Sequence, residues 1–342
     1  MMKRALAALL GAPLALAVLP AVAQADPDPR LHVESVTLNR GSVAVSGLNT
    51  VPVTVTVKGS YTVNTAAPVN VILERTGGSG GMSALFSTNL SRDAATGTWS
   101  GALKVPSTAN GTFKVSGVQV GPFSPTSPPT FDPTPYAGPS LAVIGTHQPR
   151  ITAAVTPKVV PFGAPYSIRW AVTDAQTGKP YGSRIRVALK HDSGCVEYFG
   201  PGTTDVTDTN GIVTKTYPGS TYSPSNCLIV PGDPWVNASL AFTAARPAVV
   251  SATPSRTSAP VGTIVAVNGA VAGAPFNCWV QLQRLYGASQ WRTVNVRRVR
   301  QSGRFTLEAQ PAYRGTIPYR VSFPACAPYV AGLGKTFSIR GT

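Results

Sequence analysis

Three short stretches and one set of acids bring together side chains capable of chemistry. Gly77-Gly78-Ser79-Gly80-Gly81 has the G-x-S-x-G spacing of a nucleophile elbow. That motif works because a strained strand-to-helix turn exposes the serine beside an oxyanion hole. No amphipathic helix succeeds it here, and four glycines around one serine suit a loop between strands. Gly334-Lys335-Thr336 ends like a phosphate-binding loop, but Tyr329 stands where that motif needs its first glycine. His191-Asp192-Ser193-Gly194-Cys195 sets several catalytic residue types side by side. Neighbours on a strand point to opposite faces, so adjacency is not geometry, and His191 reads as a loop or strand-end residue. His32 and His147 lie in other contexts, and there is no CxxC and no metal-type Cys/His spacing. Asp205 and Asp208, with Asp192 or Asp174, offer oxygens of the kind calcium takes, but EF-hand spacing is absent and turn duty accounts for each. The expectation is no catalytic residue, no metal site and no cofactor.

The charge distribution is more informative. The chain carries a net charge of +16, and residues 246–342 hold twelve basic residues against the single acid Glu308. Eleven of those twelve are arginines, the side chain whose planar fork matches phosphate or carboxylate. Arg292, Arg297, Arg298, Arg300 and Arg304 crowd into thirteen residues, beginning next to Trp291. One reading is a solvated, solubilising face. The sharper one takes these six residues as a docking surface for an anionic polymer such as wall teichoic acid, an acidic polysaccharide or extracellular nucleic acid. Trp291, Tyr286 and Tyr313 are candidates to stack on sugar or base, and equally candidates for packing.

The elements that must position these residues are strands. Only 12% of residues are charged, while 33 Gly and 32 Pro punctuate runs rich in Val, Thr and Ser. That composition, without a long segment at helical period, predicts an all-β chain. Cys278–Leu285 alternates, with Cys278, Val280, Leu282 and Arg284 on one face and Trp279, Gln281 and Gln283 on the other. Trp291–Arg300 comes next as its hairpin partner, and Gln301-Ser302-Gly303 turns into a third strand. Val51–Val57 alternates in the same way, and Val69–Arg75, Thr98–Val105 and Thr112–Val120 succeed it at sandwich intervals. Seven or eight short strands are expected between Leu31 and Gly145, with Thr76–Met82 as a loop. Seven prolines in residues 122–139 make that segment an extended spacer.

The ends speak to compartment. Lys3 and Arg4, the apolar run Ala5–Val22 and Ala23-Gln24-Ala25 describe a secretory signal peptide over residues 1–25. No later run of 18 apolar residues occurs and the C-terminus lacks a hydrophobic tail, so the exported chain is expected to be secreted, or held at a wall non-covalently. Four cysteines remain after export, Cys195, Cys227, Cys278 and Cys326, and three pairings are open in principle. Cys195–Cys227 with Cys278–Cys326 is preferred because it crosses no domain boundary near residue 246.

Certain motifs carry a resemblance. Trp99 in its strand, the Asn110-Gly111-Thr112 turn and Phe113-Lys114-Val115 look like the core of bacterial Ig-like domains. Val172-Thr173-Asp174-Ala175 and Thr207-Asp208-Thr209-Asn210-Gly211 resemble signatures of the Ig-like repeats in invasin-type surface proteins. Val261-Gly262-Thr263, Val280–Arg284, Trp291–Val294, Gly303–Phe305 and Tyr319-Arg320-Val321 are similar to Ig-like repeats of secreted actinobacterial proteins, from which the Cys278/Cys326 pair departs. The resemblance implies three tandem Ig-like β-sandwiches, over residues 26–148, 149–245 and 246–342. It implies a non-enzymatic binding or spacer protein. An adhesin or inhibitor that binds extracellular proteins, or an accessory module of an extracellular hydrolase, are the competing expectations.

Overall fold

The computed structural model describes residues 26–62, 67–121, 131–191, 195, 205–232 and 236–342. The proposed signal peptide, residues 122–130 of the proline-rich segment, and Asp192, Ser193 and Gly194 lie outside the described residues. Strands form six sheets, which pair into three sandwiches, each closed on its own apolar core.

In the first sandwich one sheet runs Leu31–Leu38, Thr50–Tyr61, Thr98–Pro106, Ser91–Asp93. The facing sheet runs Ser42–Ser46, Ser140–Thr146, Gly111–Val120, Val69–Gly77, Ala84–Phe86. The chain switches sheets between its first two strands. Leu31–Leu38 pairs antiparallel with Thr50–Tyr61, and Ser42–Ser46 pairs parallel with Ser140–Thr146. This is the Greek-key order of an Ig-like sandwich. The valine alternation does what period two requires: Val53, Val55 and Val57 are fully buried against Trp99, Leu103, Phe113 and Leu141. Each such side chain contributes on the order of 2 kcal/mol by leaving water. Ten strands occur among the described residues here, where seven or eight are expected. The surplus consists of Ala84–Phe86, Ser91–Asp93 and Thr134–Pro135, pieces of two or three residues that are too short to show a period. Thr134–Pro135 corrects the reading of the proline-rich segment as strand-free; it pairs at the sheet edge, where a missing N–H is tolerated.

The second sandwich sets Pro149–Thr156, Tyr166–Asp174 and Ile212–Tyr217 against Asp205–Val206, Arg186–Lys190, Ser225–Pro231 and Val236–Thr243. Tyr166, Ile168, Trp170 and Val172 point inward at every second position. The third sets Val250–Pro254, Val265–Val271 and Arg304–Ala309 against Ser258–Ala259, Phe337–Gly341, Gly315–Phe323, Trp279–Tyr286 and Gln290–Arg298, with Gly332–Leu333 added to Gly315–Phe323. It repeats the first sandwich's sheet switch, since Ser258–Ala259 pairs parallel with Phe337–Gly341.

Both disulfides have the expected partners, Cys195–Cys227 and Cys278–Cys326. Each ties neighbouring strands of one sheet rather than the two sheets of a sandwich. Cys227 sits opposite Lys190 in its ladder, and Cys278 and Cys326 bracket the paired strands Trp279–Tyr286 and Gly315–Phe323. Their separations of 32 and 48 residues each correspond to about 4 kcal/mol of lost unfolded-chain entropy.

The junctions are packed. Leu48, from the turn after Ser42–Ser46, lies against the second core, and Asn237 Nδ2 donates to its carbonyl at 3.2 Å. Among the described residues no helix is long and apolar enough to cross a membrane.

Candidate functional site

Among the described residues, the stretches with catalytic residue types lie in loops, in turns and at strand ends. Gly77 ends the strand Val69–Gly77, and in the loop after it the Gly80 and Met82 carbonyls accept from the Arg75 guanidinium, while Gly78 has φ +93°. The next element is the short strand Ala84–Phe86, where a nucleophile elbow needs a helix. Lys335 and Thr336 lead into the strand Phe337–Gly341. His191 comes directly after the strand Arg186–Lys190 and stacks on Tyr217, with ring centroids 4.0 Å apart and planes 5° apart. Its Nδ1 lies 2.7 Å from Asn226 Oδ1, and the Tyr166 hydroxyl and Thr221 carbonyl meet its Nε2. Asp208 Oδ1 accepts from the backbone of Asn210 and Ile212 at 2.9 and 2.8 Å, and Asp205 lies 3.7 Å from Lys215 Nζ. Among the described residues no group of three or more His, Cys, Asp or Glu could hold a metal ion.

The basic stretch does not form one patch. Val280 and Leu282 are fully buried, so Trp279, Gln281 and Gln283 stand on the outer face of the six-strand sheet. Ladder pairing puts Arg298 opposite Trp279, Val296 opposite Gln281, and Thr293 opposite Gln283 on that face. On the other side, Ser322 lies opposite Gln281 and Arg320 opposite Gln283. The Arg298 guanidinium lies 4.1 Å from the Trp279 ring centroid, and its Nη1 donates to Asn277 Oδ1 at 2.5 Å. The Arg320 guanidinium lies 4.3 Å from the Trp291 ring centroid, and its Nε donates to Gln283 Oε1 at 2.8 Å. Trp279 keeps 47% of its surface exposed.

The remaining candidates point elsewhere. Arg297 is one residue out of phase with Arg298; it sits opposite Val280 and reaches across to Glu308 of the other sheet at 3.1 Å. Phe305, Leu307 and Ala309 are buried, so Arg304, Thr306 and Glu308 face out from the three-strand sheet. Arg300 joins them by donating to Thr306 Oγ1 at 3.2 Å. Arg292 and Arg284 flank the Tyr286 ring at 4.8 and 4.4 Å, near the hairpin tip. Of the six residues proposed as a docking surface, Arg298 and Trp291 therefore share one face, Arg297, Arg300 and Arg304 gather on the opposite one, and Arg292 stands at the end.

Arg320, Trp279 and Asn277 belong to the outer face and were not among those six. A signal for them exists. Trp279 alternates with buried Val280, and Arg320 lies between buried Tyr319 and Val321, so both must point outward. Their meeting across strands depends on register, which is not local in sequence.

No protein-family model matches the chain, and no curated relative is found. Solved structures similar to it include the Escherichia coli adhesin FdeC, at 13% identity over 93% of this chain and 99% of that one, with a TM-score of 0.28. A tetra-tandem repeat from the extending region of a large adhesion protein aligns at 11% identity over 91% and 75%, TM-score 0.33. The D0-D1 domain of intimin aligns at 13% identity over 56% and 97%, TM-score 0.21. Scores this low leave the Ig-like architecture to rest on the strand order of the chain's own sheets.

Proposed function

We propose that the chain is a non-enzymatic extracellular binding protein. Its sandwiches space and present the basic third unit, which docks on an anionic polymer of a cell surface or wall. The observation that carries this reading is the charge of that unit: a net +11 over residues 246–342, answered from within by Glu308 alone. Arg298 and Arg320 project from one sheet face and Arg300 from the other, each against neutral groups, so a polyanion meets guanidinium charge from either side. Two disulfides fit an oxidising compartment outside the cytosol. Among the described residues, the His191 ring is engaged in stacking and the Asp208 carboxylate in its own turn, which favours a surface over a pocket.

The test is retention of the intact chain on heparin and on isolated cell walls over a salt series. Release of condensed counterions predicts that affinity falls steeply and log-linearly with salt. Retention that does not change with salt would remove the polymer and leave a spacer.

A further inference from the structure

We propose that the outer face of the six-strand sheet in the third unit binds an acidic polysaccharide. Arg298 and Arg320 take carboxylates, and the side chains between them take hydroxyls. This rests on the reading of the third unit as a polyanion-docking module, and narrows it to one face and one ligand chemistry.

Each guanidinium is already oriented. Arg298 is fixed by the Trp279 ring and by Asn277; Arg320 is fixed by the Trp291 ring and by Gln283. A guanidinium carries five N–H donors, and these contacts leave several on each arginine to meet a carboxylate. Holding the fork flat on an aromatic ring removes rotamer freedom before binding, which lowers the entropic cost of docking. The acid that would compete, Glu308, is engaged by Arg297 on the other side of the sandwich.

The spacing selects a polymer. The two arginines stand on the strands flanking Trp279–Tyr286, opposite Trp279 and Gln283. Four residues along the strand and two strand spacings across it put their Cα atoms roughly 16 Å apart. A small anion reaches one of them, whereas a chain of several units reaches both. Between them lie Gln281, Gln283, Thr293 and Ser322, neutral donors and acceptors suited to hydroxyls. Gln281 Oε1 accepts from Thr293 Oγ1 and Gln283 Oε1 from Arg320, which leaves both amide NH2 groups to donate outward. Single-stranded nucleic acid binds by stacking bases on open aromatic faces. Here each indole already carries a guanidinium on one face, which disfavours base stacking. A polymer that alternates carboxylates with hydroxyls uses the arginines and the amides together.

The experiment titrates the intact chain with polygalacturonate, neutral dextran and poly-dT, at low and moderate salt, by calorimetry. Polygalacturonate is expected to bind more tightly than poly-dT, with dextran inert. Arg298→Gln with Arg320→Gln should weaken polygalacturonate binding by roughly a hundredfold, since each lost charge-assisted contact is worth about a tenfold factor. The triple variant Arg297→Gln, Arg300→Gln, Arg304→Gln should stay within about twofold of the parent if its residues make no contact, leaving only the long-range charge effect. Unchanged melting temperatures check that the variants fold. Tighter binding of poly-dT would overturn the polysaccharide assignment and leave polyanion docking standing. Loss in the triple variant but not in the double would overturn the choice of face. No binding of either polyanion at low salt would sink the docking reading itself.

Discussion

The Arg246 guanidinium lies 3.5 Å from the centroid of the Tyr222 ring, so a ring of the second sandwich holds, by a cation–π contact, a residue whose backbone bonds to the third. Phe162 approaches the same guanidinium at 4.6 Å. Burial pushes the Tyr222 phenol up to about 12, so at neutral pH a neutral ring meets the cation, and its hydroxyl donates to the Ala244 carbonyl at 2.5 Å. Arg246 Nε is buried without a hydrogen-bond partner among the described residues, which makes the two ring faces its substitute for water. The backbone completes the clasp: Arg246 N donates to the Pro328 carbonyl and Val330 N donates to the Arg246 carbonyl, both at 2.9 Å. A desolvated cation–π pair is worth about 2 kcal/mol. Arg246→Ala should therefore lower the melting temperature and broaden the inter-domain distances seen by small-angle scattering. Arg246→Lys should recover less than half the loss, because an ammonium lacks the planar stacking surface. Scattering and melting curves identical to the parent's would show that the contact does not hold the junction.

Breaking Cys278–Cys326 tests a second constraint. Cys278 is nearly buried, and the pair closes the open end of two hydrogen-bonded strands that carry the outer face. Replacing both residues by alanine should cost about 4 kcal/mol in the chain-entropy model. A reductant should reproduce much of that shift in the parent and leave the corresponding transition of the variant unmoved. If the double variant melts with the parent, the unfolded third unit is already restrained by something other than the cross-link.

How much of this was legible in the sequence varies by residue. The burial of Val53, Val55 and Val57 follows from period two alone, because a half-buried strand has no other way to place alternating valines. The Asn210-Gly211 turn depends on local chemistry, whereas the disulfide partners, 32 and 48 residues apart, followed only from keeping each pair on one side of residue 246. The arginine cluster was visible as charge and invisible as geometry. Arg297 and Arg298 are adjacent, so the pleat sends them to opposite sides, and the turn after Arg300 carries Arg304 into the other sheet. A bulge between Leu282 and Gln283 then shifts the ladder by one residue, which decides which side chains of Gln290–Arg298 share a face with Trp279 and Gln283. The meeting of Arg320 with Trp291 is set by register across the sheet, and no local pattern encodes it.

The turn at Gly211 offers a sharp stability test. Gly211 has φ +72°, and a Cβ built there would lie 2.2 Å from the Val172 carbonyl oxygen, which belongs to a core strand. Gly211→Ala therefore meets both a strained backbone and a fixed neighbour, and should destabilise the second unit by about 1–3 kcal/mol or more. Asp208→Ala removes two acceptor contacts, to Asn210 N and Ile212 N, for about 1 kcal/mol each. Gly211→Ala melting at the parent temperature would mean that the turn does not adopt this geometry.

Acid should act on the junction between the first two sandwiches through Asp174. Burial alone pushes its carboxyl up. The Nδ1–H of His147 and the Thr177 hydroxyl, each at 2.7 Å, with Gln176 N at 2.9 Å, outweigh that and hold it at about 2. The folded value lies below the ordinary 3.8, so the folded state favours the charged form. The stabilisation is then fully present above about pH 4 and is lost as the pH falls towards 2. Because His147 lies in the link between the sandwiches, and Tyr181 donates to its carbonyl at 2.6 Å, protonating Asp174 loosens a contact that joins units as well as one within a turn. Asp28, held at about 2 by hydrogen bonds from Arg30, titrates in the same window, so the parent's acid curve contains both groups. Asp174→Asn isolates the second. It should be less stable than the parent at neutral pH, lose less stability between pH 4 and 2, and converge with the parent at the acid end. Parallel stability curves for the two proteins across that range would show that the Asp174 carboxylate is not held by the folded state.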